Sequence, residues 1–119
     1  MKTRQLIERY LDAWNVTDEA QRRSVLADVC TADCQYTDPL ADVRGVAGLD
    51  AVIAAAQAQL PGFRFALAGP VDSHHEQARF TWHAAPAGAS EPVVIGTDVF
   101  ILESGRIRSV LGFLDKVPG

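Results

Sequence analysis

Three side chains in the sequence could do acid–base chemistry, and each is expected on an element that faces a cavity: Tyr10, Asp38 and Asp98. A phenol donates a hydrogen bond, and a carboxyl group either donates one or takes up a proton, depending on its ionisation. Tyr10 precedes Trp14 by one helical turn, so the two share one face of a helix. Asp98 lies within a long apolar run, on the same face as Phe100 if that run is a strand. These residues predict a site that faces a cavity.

Each of the three also has a simpler structural explanation. Tyr10 could be a core aromatic residue whose hydroxyl reaches the surface. Asp38 precedes Pro39, and aspartate before proline commonly starts a turn. Asp98 could lie on the solvent face of its strand, or face inward and pair with a structural arginine. The alternation of the strand does not decide between these faces.

Helical periodicity dominates the first half of the chain. Apolar residues recur at three- and four-residue steps over 4–15, which predicts an amphipathic helix. A second stripe over 20–29 predicts another helix, with Thr17 as its hydroxyl cap. A short strand over 34–37 is expected to end at Asp38, and an alanine-rich third helix is predicted from Leu49 to Leu60, after a loop flanked by Gly45 and Gly48.

The second half changes to strand periodicity. Alternating residues over 63–67, 79–83, 93–103 and 107–114 predict strands, with turns at Gly69-Pro70, Pro86-Ala87-Gly88 and Ser104-Gly105. Helices followed by strands predict an α+β fold, in which a curved antiparallel sheet is covered on one face by three N-terminal helices. A small molecule would bind in the cavity between sheet and helices. Residues 1–119 are expected to form a single domain.

Composition narrows the function classes. The chain has 119 residues with 11 basic and 15 acidic side chains, a net charge of −4, and no cluster of basic residues. This argues against nucleic-acid and anionic-membrane partners, which need aligned basic groups. The longest uncharged apolar stretch is too short to span a bilayer, and the N-terminus does not resemble a signal peptide. We therefore expect a cytoplasmic protein that does not enter membranes.

The histidines and cysteines do not form a metal-site pattern. His74 and His75 fall in a predicted turn without a second ligand cluster, and His83 points to the face opposite Trp82. Cys30 and Cys34 are too few for a disulfide framework, which favours buried structural thiols over a redox pair. No metal and no organic cofactor is expected.

Three segments resemble the SnoaL-like branch of the nuclear transport factor 2-like superfamily. They are the run from Glu8 to Asn15, the segment from Tyr36 to Leu40, and the closing stretch from Gly96 to Asp115. The resemblance implies a cone-shaped α+β fold around a central pocket, and a homodimer that forms through the outer face of the sheet. The same fold carries many unrelated functions, so function must come from the site.

Ketosteroid isomerases give the most detailed comparison within this superfamily. The resemblance implies that Asp38 is the general base and that Tyr10 and a protonated Asp98 donate hydrogen bonds to an enolate oxygen. A further tyrosine of some isomerases corresponds to Ala56, so the pocket differs in shape. The residues expected to line an apolar substrate pocket are Trp14, Tyr36, Phe80, Trp82, Phe100 and Leu114.

Other functions are compatible with the same residues. An isomerase, or a related lyase or cyclase acting on an apolar small molecule, is the first hypothesis. A polyketide cyclase of the SnoaL type would need an inward histidine. A non-catalytic small-molecule-binding protein would use the same cavity without turnover, and an adaptor would need an exposed apolar patch on the outer sheet face.

Overall fold

Three helices form one layer of the molecule. The computed structural model describes residues 1–118, with α1 at Thr3–Ala13, α2 at Glu19–Val29 and α3 at Gly45–Gln59. The apolar stripe predicted for the first helix is confirmed, because its members are buried. The predicted cap of the second helix is wrong, because Asp18 holds that position and its carboxylate accepts a hydrogen bond from the Gln21 amide at 2.9 Å.

Six strands form the second layer. They are β1 (Cys30–Asp38), β2 (Ala41–Arg44), β3 (Phe63–His74), β4 (Gln77–Pro86), β5 (Val94–Glu103) and β6 (Arg106–Lys116). The strands are arranged in the order β2-β1-β6-β5-β4-β3. The α+β fold with a curved sheet and three helices is confirmed, but the sheet is mixed, because β1 and β6 run parallel while the other pairs are antiparallel. This pairing joins distant parts of the chain, which hydropathy patterns do not reveal.

Two local predictions differ from the structure. The loop predicted between Gly45 and Gly48 is instead the first turn of α3, which follows directly on β2. Gly69-Pro70 is not a turn between strands, because β3 continues to His74 with a register shift between Ala68 and Asp72. The reversal comes later, where His75 has a positive φ of 53°.

The core lies between the helices and the inner face of the sheet. Alternate residues of β5 point into it, so that Asp98 and Phe100 are buried while Val99 is only half-buried on the opposite face. A buried ion pair between Arg22 and Asp50 links α2 to α3. Cys30 and Cys34 are buried thiols without a disulfide bond. No helix within residues 1–118 is long and apolar enough to cross a membrane.

Candidate functional site

Asp98 is a buried carboxyl group on the inner face of the sheet. Only 5% of the residue is exposed, and the indole Nε1–H of Trp82 donates a hydrogen bond to its Oδ1 at 3.2 Å. Burial raises the pKa of this carboxyl to about 7; the Trp82 hydrogen bond opposes the increase, and the nearby charge of Asp38 adds to it. The Asp98 side chain therefore points inward, and its partner is a tryptophan rather than an arginine. Near pH 7, a substantial fraction of this carboxyl group is neutral.

Tyr10 lies in the helix layer, close enough to Asp98 for the charge of that carboxyl group to act on its phenol. The residue is fully buried, and its ring packs edge-on against Phe100 with centroids 5.0 Å apart. Its hydroxyl and the Trp14 Nε1 lack hydrogen-bond partners among residues 1–118. Burial, followed by the charge of Asp98, holds the pKa of the Tyr10 phenol well above its usual value. Tyr10 therefore keeps its proton, and the surface location considered for its hydroxyl is not observed.

Asp38 is held at the end of β1 by three hydrogen bonds. Its Oδ1 accepts from the backbone amides of Leu40 and Ala41, each at 2.8 Å, and its Oδ2 accepts from the Tyr36 hydroxyl at 2.6 Å. The two amide contacts are those of an aspartate that starts a turn. The contact with Tyr36 adds a feature that a turn does not need. Asp38 thus shapes the turn and presents a half-buried carboxylate at the edge of the core.

Gly112 lies between the two carboxyl groups. It pairs with Asp98 in the sheet, and β6 also runs beside β1, which carries Asp38. A Cβ atom at Gly112 would lie 3.0 Å from Oδ1 of Asp98 and 3.3 Å from Cβ of Asp38. The absence of a side chain at this position allows the two aspartates to approach each other.

A cavity of about 10 Å³ borders Asp98, which is close to the volume that one water molecule requires. Its lining consists of Leu11, Trp14, Tyr36, Phe65, Trp82 and Asp98. A larger ligand can enter only if some of these side chains move.

Only three of the six residues predicted to line the pocket border this cavity. Trp14, Tyr36 and Trp82 border it, whereas Phe80 and Phe100 pack deeper in the core. Leu114 is half-buried on β6 and does not border the cavity. Two lining residues were not predicted: Leu11 belongs to the stripe of α1, and Phe65 to the alternation of β3. Their periodicity could have indicated them, but which core residues reach a cavity depends on packing.

The three histidines of the chain lie away from this cavity. His74 and His75 are exposed near the reversal between β3 and β4, and their Nδ1 atoms are 3.0 Å apart. His83 follows Trp82 on β4, so its side chain points to the opposite face of the sheet. No group of three or more potential metal ligands occurs in the part of the chain that the structure describes.

The geometry defines an α+β protein with a buried, partly neutral carboxyl group beside an aromatic-lined cavity. The sequence profile of the SnoaL-like domain family matches residues 7–110. The chain belongs to this family, which confirms the resemblance inferred from the sequence. A search of curated proteins gives no match.

Solved structures support this assignment. A protein of the SnoaL-like family from Agrobacterium tumefaciens, described as a candidate isomerase, is 39% identical and has a TM-score of 0.86, with 93% of this chain and 95% of that chain covered. A candidate ketosteroid isomerase from Kribbella flavida is 17% identical with a TM-score of 0.71, covering 98% of this chain and 80% of that chain.

A third similar structure is a candidate SnoaL-like polyketide cyclase from Jannaschia sp. CCS1. It is 17% identical with a TM-score of 0.70, and the match covers 93% of this chain and 85% of that chain. The likeness to the Kribbella flavida and Jannaschia proteins, each 17% identical to this chain, establishes the fold. The nuclear transport factor 2-like fold also occurs in a similar structure from Cytophaga hutchinsonii.

Proposed function

We propose that the protein is an acid–base enzyme that removes a proton from the carbon next to a carbonyl group of an apolar small molecule. Asp38 is the base, and Tyr10 and Asp98 donate hydrogen bonds to the oxygen of the resulting enolate. No cofactor takes part in this scheme. The observation that carries the proposal is the burial of the Asp98 carboxyl at the lining of the cavity, and this burial raises its pKa to about 7. A neutral carboxyl group is a donor, whereas an ionised one is only an acceptor.

The proton moves in two steps. The Asp38 carboxylate takes a proton from the α-carbon, and the electrons of the broken C–H bond form a C=C bond while negative charge collects on the carbonyl oxygen. Hydrogen bonds from the Asp98 carboxyl and the Tyr10 phenol stabilise that charge. The Asp38 carboxyl then returns its proton to another carbon of the conjugated system, which yields an isomer. Charge, atoms and protons balance at each step.

The groups around the proposed base support this assignment. Three hydrogen bonds hold the Asp38 carboxylate in one orientation. Burial, together with the hydrogen bond to Asp38 and the charge of Asp98, raises the pKa of the Tyr36 phenol. Tyr36 therefore stays protonated and donates to Oδ2 of Asp38, so the carboxylate is fixed beside a side chain that lines the cavity. A fixed base reacts faster than a mobile one, because it need not be positioned in each catalytic cycle.

The ultraviolet absorbance of the conjugated enone tests this proposal. A β,γ-unsaturated ketosteroid is incubated with the wild type, with Asp38→Asn and with Asp42→Asn, a matched control on β2 with an exposed carboxylate. We expect turnover by the wild type and the control, and at least a hundredfold loss in Asp38→Asn, the typical contribution of a positioned base. Equal turnover in all three proteins would exclude Asp38 as the base.

A non-catalytic binding protein is the second candidate, because the buried carboxyl group and the aromatic lining of the cavity could hold a small molecule without catalysis. With room for about one water molecule, the pocket in this conformation does not hold a polycyclic substrate. Binding of 2-naphthol, a phenol that mimics an enolate, without turnover of any ketone would support this alternative. A polyketide cyclase that uses an inward histidine has less support, because the cavity lining contains no histidine.

A homodimer through the outer face of the sheet is also part of the proposal. Leu111 and Phe113 point outward from β6 and are exposed, Phe113 by 62%. Covering them with a second copy would remove apolar surface from water. Sedimentation of the wild type and of Phe113→Asp tests this, since the charged variant should be monomeric. A wild type that sediments as a monomer would contradict it.

A further inference from the structure

The register of β4 and β5 brings the Trp82 indole into contact with the Asp98 carboxyl group. Trp82 on β4 lies directly opposite Gly96 on β5, and Asp98 follows two residues later on the same face. The indole ring crosses above Gly96, so that its Nε1–H reaches Oδ1 of Asp98 at 3.2 Å. It also packs against Phe65, with ring centroids 5.6 Å apart, and borders the cavity.

Gly96 is required for this placement. A Cβ atom at position 96 would lie 2.2 Å from Cζ2 and 2.7 Å from Nε1 of Trp82, well inside van der Waals contact. The φ angle of Gly96 is not positive, so its backbone conformation does not call for glycine. The space it leaves is filled by the indole, which explains glycine at this position in the strand.

The two oxygens of Asp98 have different surroundings. Oδ1 accepts the Trp82 N–H and lies against the Gly112 backbone, where an added Cβ would come within 3.0 Å. Oδ2 has no hydrogen-bond partner among residues 1–118. The carbonyl oxygen of a neutral carboxyl group is a better hydrogen-bond acceptor than its hydroxyl oxygen, so the Trp82 N–H on Oδ1 favours the form that carries its proton on Oδ2.

We propose that Trp82 is a positioning residue, which keeps Oδ1 of Asp98 as an acceptor so that Oδ2 carries the donor proton, and that Gly96 provides the space for its indole. This inference rests on the proposed function, in which that proton contacts the substrate oxygen. Trp82 acts through Asp98 and does not itself exchange a proton. Trp82 therefore has a role in positioning the Asp98 proton, in addition to lining the pocket.

An unnatural amino acid at position 82, an isostere of tryptophan, tests the role of the indole N–H separately from the role of the ring shape. Benzothienylalanine at position 82 keeps the fused ring but replaces the N–H by sulfur, and Leu11→Ala is the control that enlarges the same cavity without altering the indole. The carboxyl pKa of Asp98 is read by NMR of protein labelled at the aspartate carboxyl carbon, with Asp98→Asn identifying the signal. The other titratable groups facing Asp98 are Tyr10, Tyr36 and Asp38, and the isostere leaves all of them in place.

We expect the isostere to raise the pKa of Asp98 by about 1, because a hydrogen bond to the ionised form has been removed. Leu11→Ala should leave that pKa unchanged or lower it, since added water favours the charged form. In the wild type, the Trp82 indole N–H signal should titrate with the same midpoint as Asp98. An unchanged or lowered pKa in the isostere protein, or a Trp82 signal that does not titrate, would overturn the inference.

Gly96→Ala provides a second variant in which Trp82 and Asp98 both remain. The new methyl group displaces the indole, so the Asp98 pKa should rise as it does with the isostere. If this variant does not fold, the isostere still decides the question. These titrations require no substrate, so they can fail while ketone turnover is retained, or succeed while turnover is absent. The failure of this inference is thus distinguishable from failure of the proposed function.

Discussion

Replacement of Asp98 by asparagine should make the protein more stable at high pH. The amide has nearly the shape of the carboxyl group and can still accept the Trp82 hydrogen bond, but it never ionises. In the wild type, the folded state holds this carboxyl with a pKa of about 7, compared with 3.8 for the free group. The folded state therefore binds more protons than the unfolded state between these values, and stability falls as pH rises through this window.

The size of the effect follows from the difference between the two pKa values. Each pKa unit corresponds to about 1.4 kcal/mol, so the full penalty for ionising buried Asp98 is about 4 kcal/mol. About 3 kcal/mol of this penalty develops between pH 5 and pH 9, because the carboxyl of the unfolded chain is already largely ionised at pH 5. Asp98→Asn removes this penalty. It also removes the charge that contributes to the raised pKa values of Tyr10 and Tyr36, but burial keeps both phenols protonated up to pH 9.

Urea unfolding followed by tryptophan fluorescence measures this difference. We expect the free energy of unfolding of Asp98→Asn, relative to the wild type, to increase by about 3 kcal/mol from pH 5 to pH 9. Asp12→Asn on the exposed face of α1 is the matched control and should show no such pH-dependent gain. A difference between Asp98→Asn and wild type that stays constant within about 1 kcal/mol across this range would refute a high pKa for Asp98.

Two further predictions concern other parts of the structure. Asp50→Asn leaves the buried Arg22 guanidinium without its counter-charge and should cost about 3–5 kcal/mol in urea unfolding. By comparison, Asp28→Asn breaks an exposed ion pair and should cost less than about 1 kcal/mol; equal costs would contradict the role of burial. Gly112→Ala crowds Oδ1 of Asp98 and should shift the whole carboxyl group, including the Oδ2 proposed to donate to the ligand. We expect 2-naphthol binding to weaken about tenfold in calorimetry, the value of roughly one charge-assisted hydrogen bond. Leu111 points outward from β6, so Leu111→Ala is the control. Equal affinities of the two variants for 2-naphthol would count against the site.

Local patterns predicted the elements that carry the site. The helical stripe placed Tyr10 in the core, and the alternation of β5 placed Asp98 on the same face as Phe100. The choice between the two faces of β5 could not be made from that strand alone, because it depends on which face the helices cover. Burial of Asp98 is thus a property of the tertiary structure.

The partners of the site residues depend on pairings between distant segments. The contact of Trp82 with Asp98 requires the register that sets Trp82 opposite Gly96, and the approach of Asp38 requires β1 to run parallel to β6. Neither pairing has a signature in hydropathy or turn residues. The small cavity was equally unpredictable, since aromatic side chains that could have lined an open pocket instead fill most of it.

Hydrogen–deuterium exchange at the α-carbon of a ketone is the most direct test of proton abstraction at this site. A panel of cyclic and polycyclic ketones is incubated in D2O with the wild type and with Asp38→Asn, and deuterium uptake is followed by NMR. We predict faster exchange at the α-carbon of at least one ketone with the wild type, and loss of that acceleration in Asp38→Asn. Binding of these ketones without accelerated exchange, or exchange that survives the substitution, would contradict Asp38 as the base of an enolate-forming enzyme.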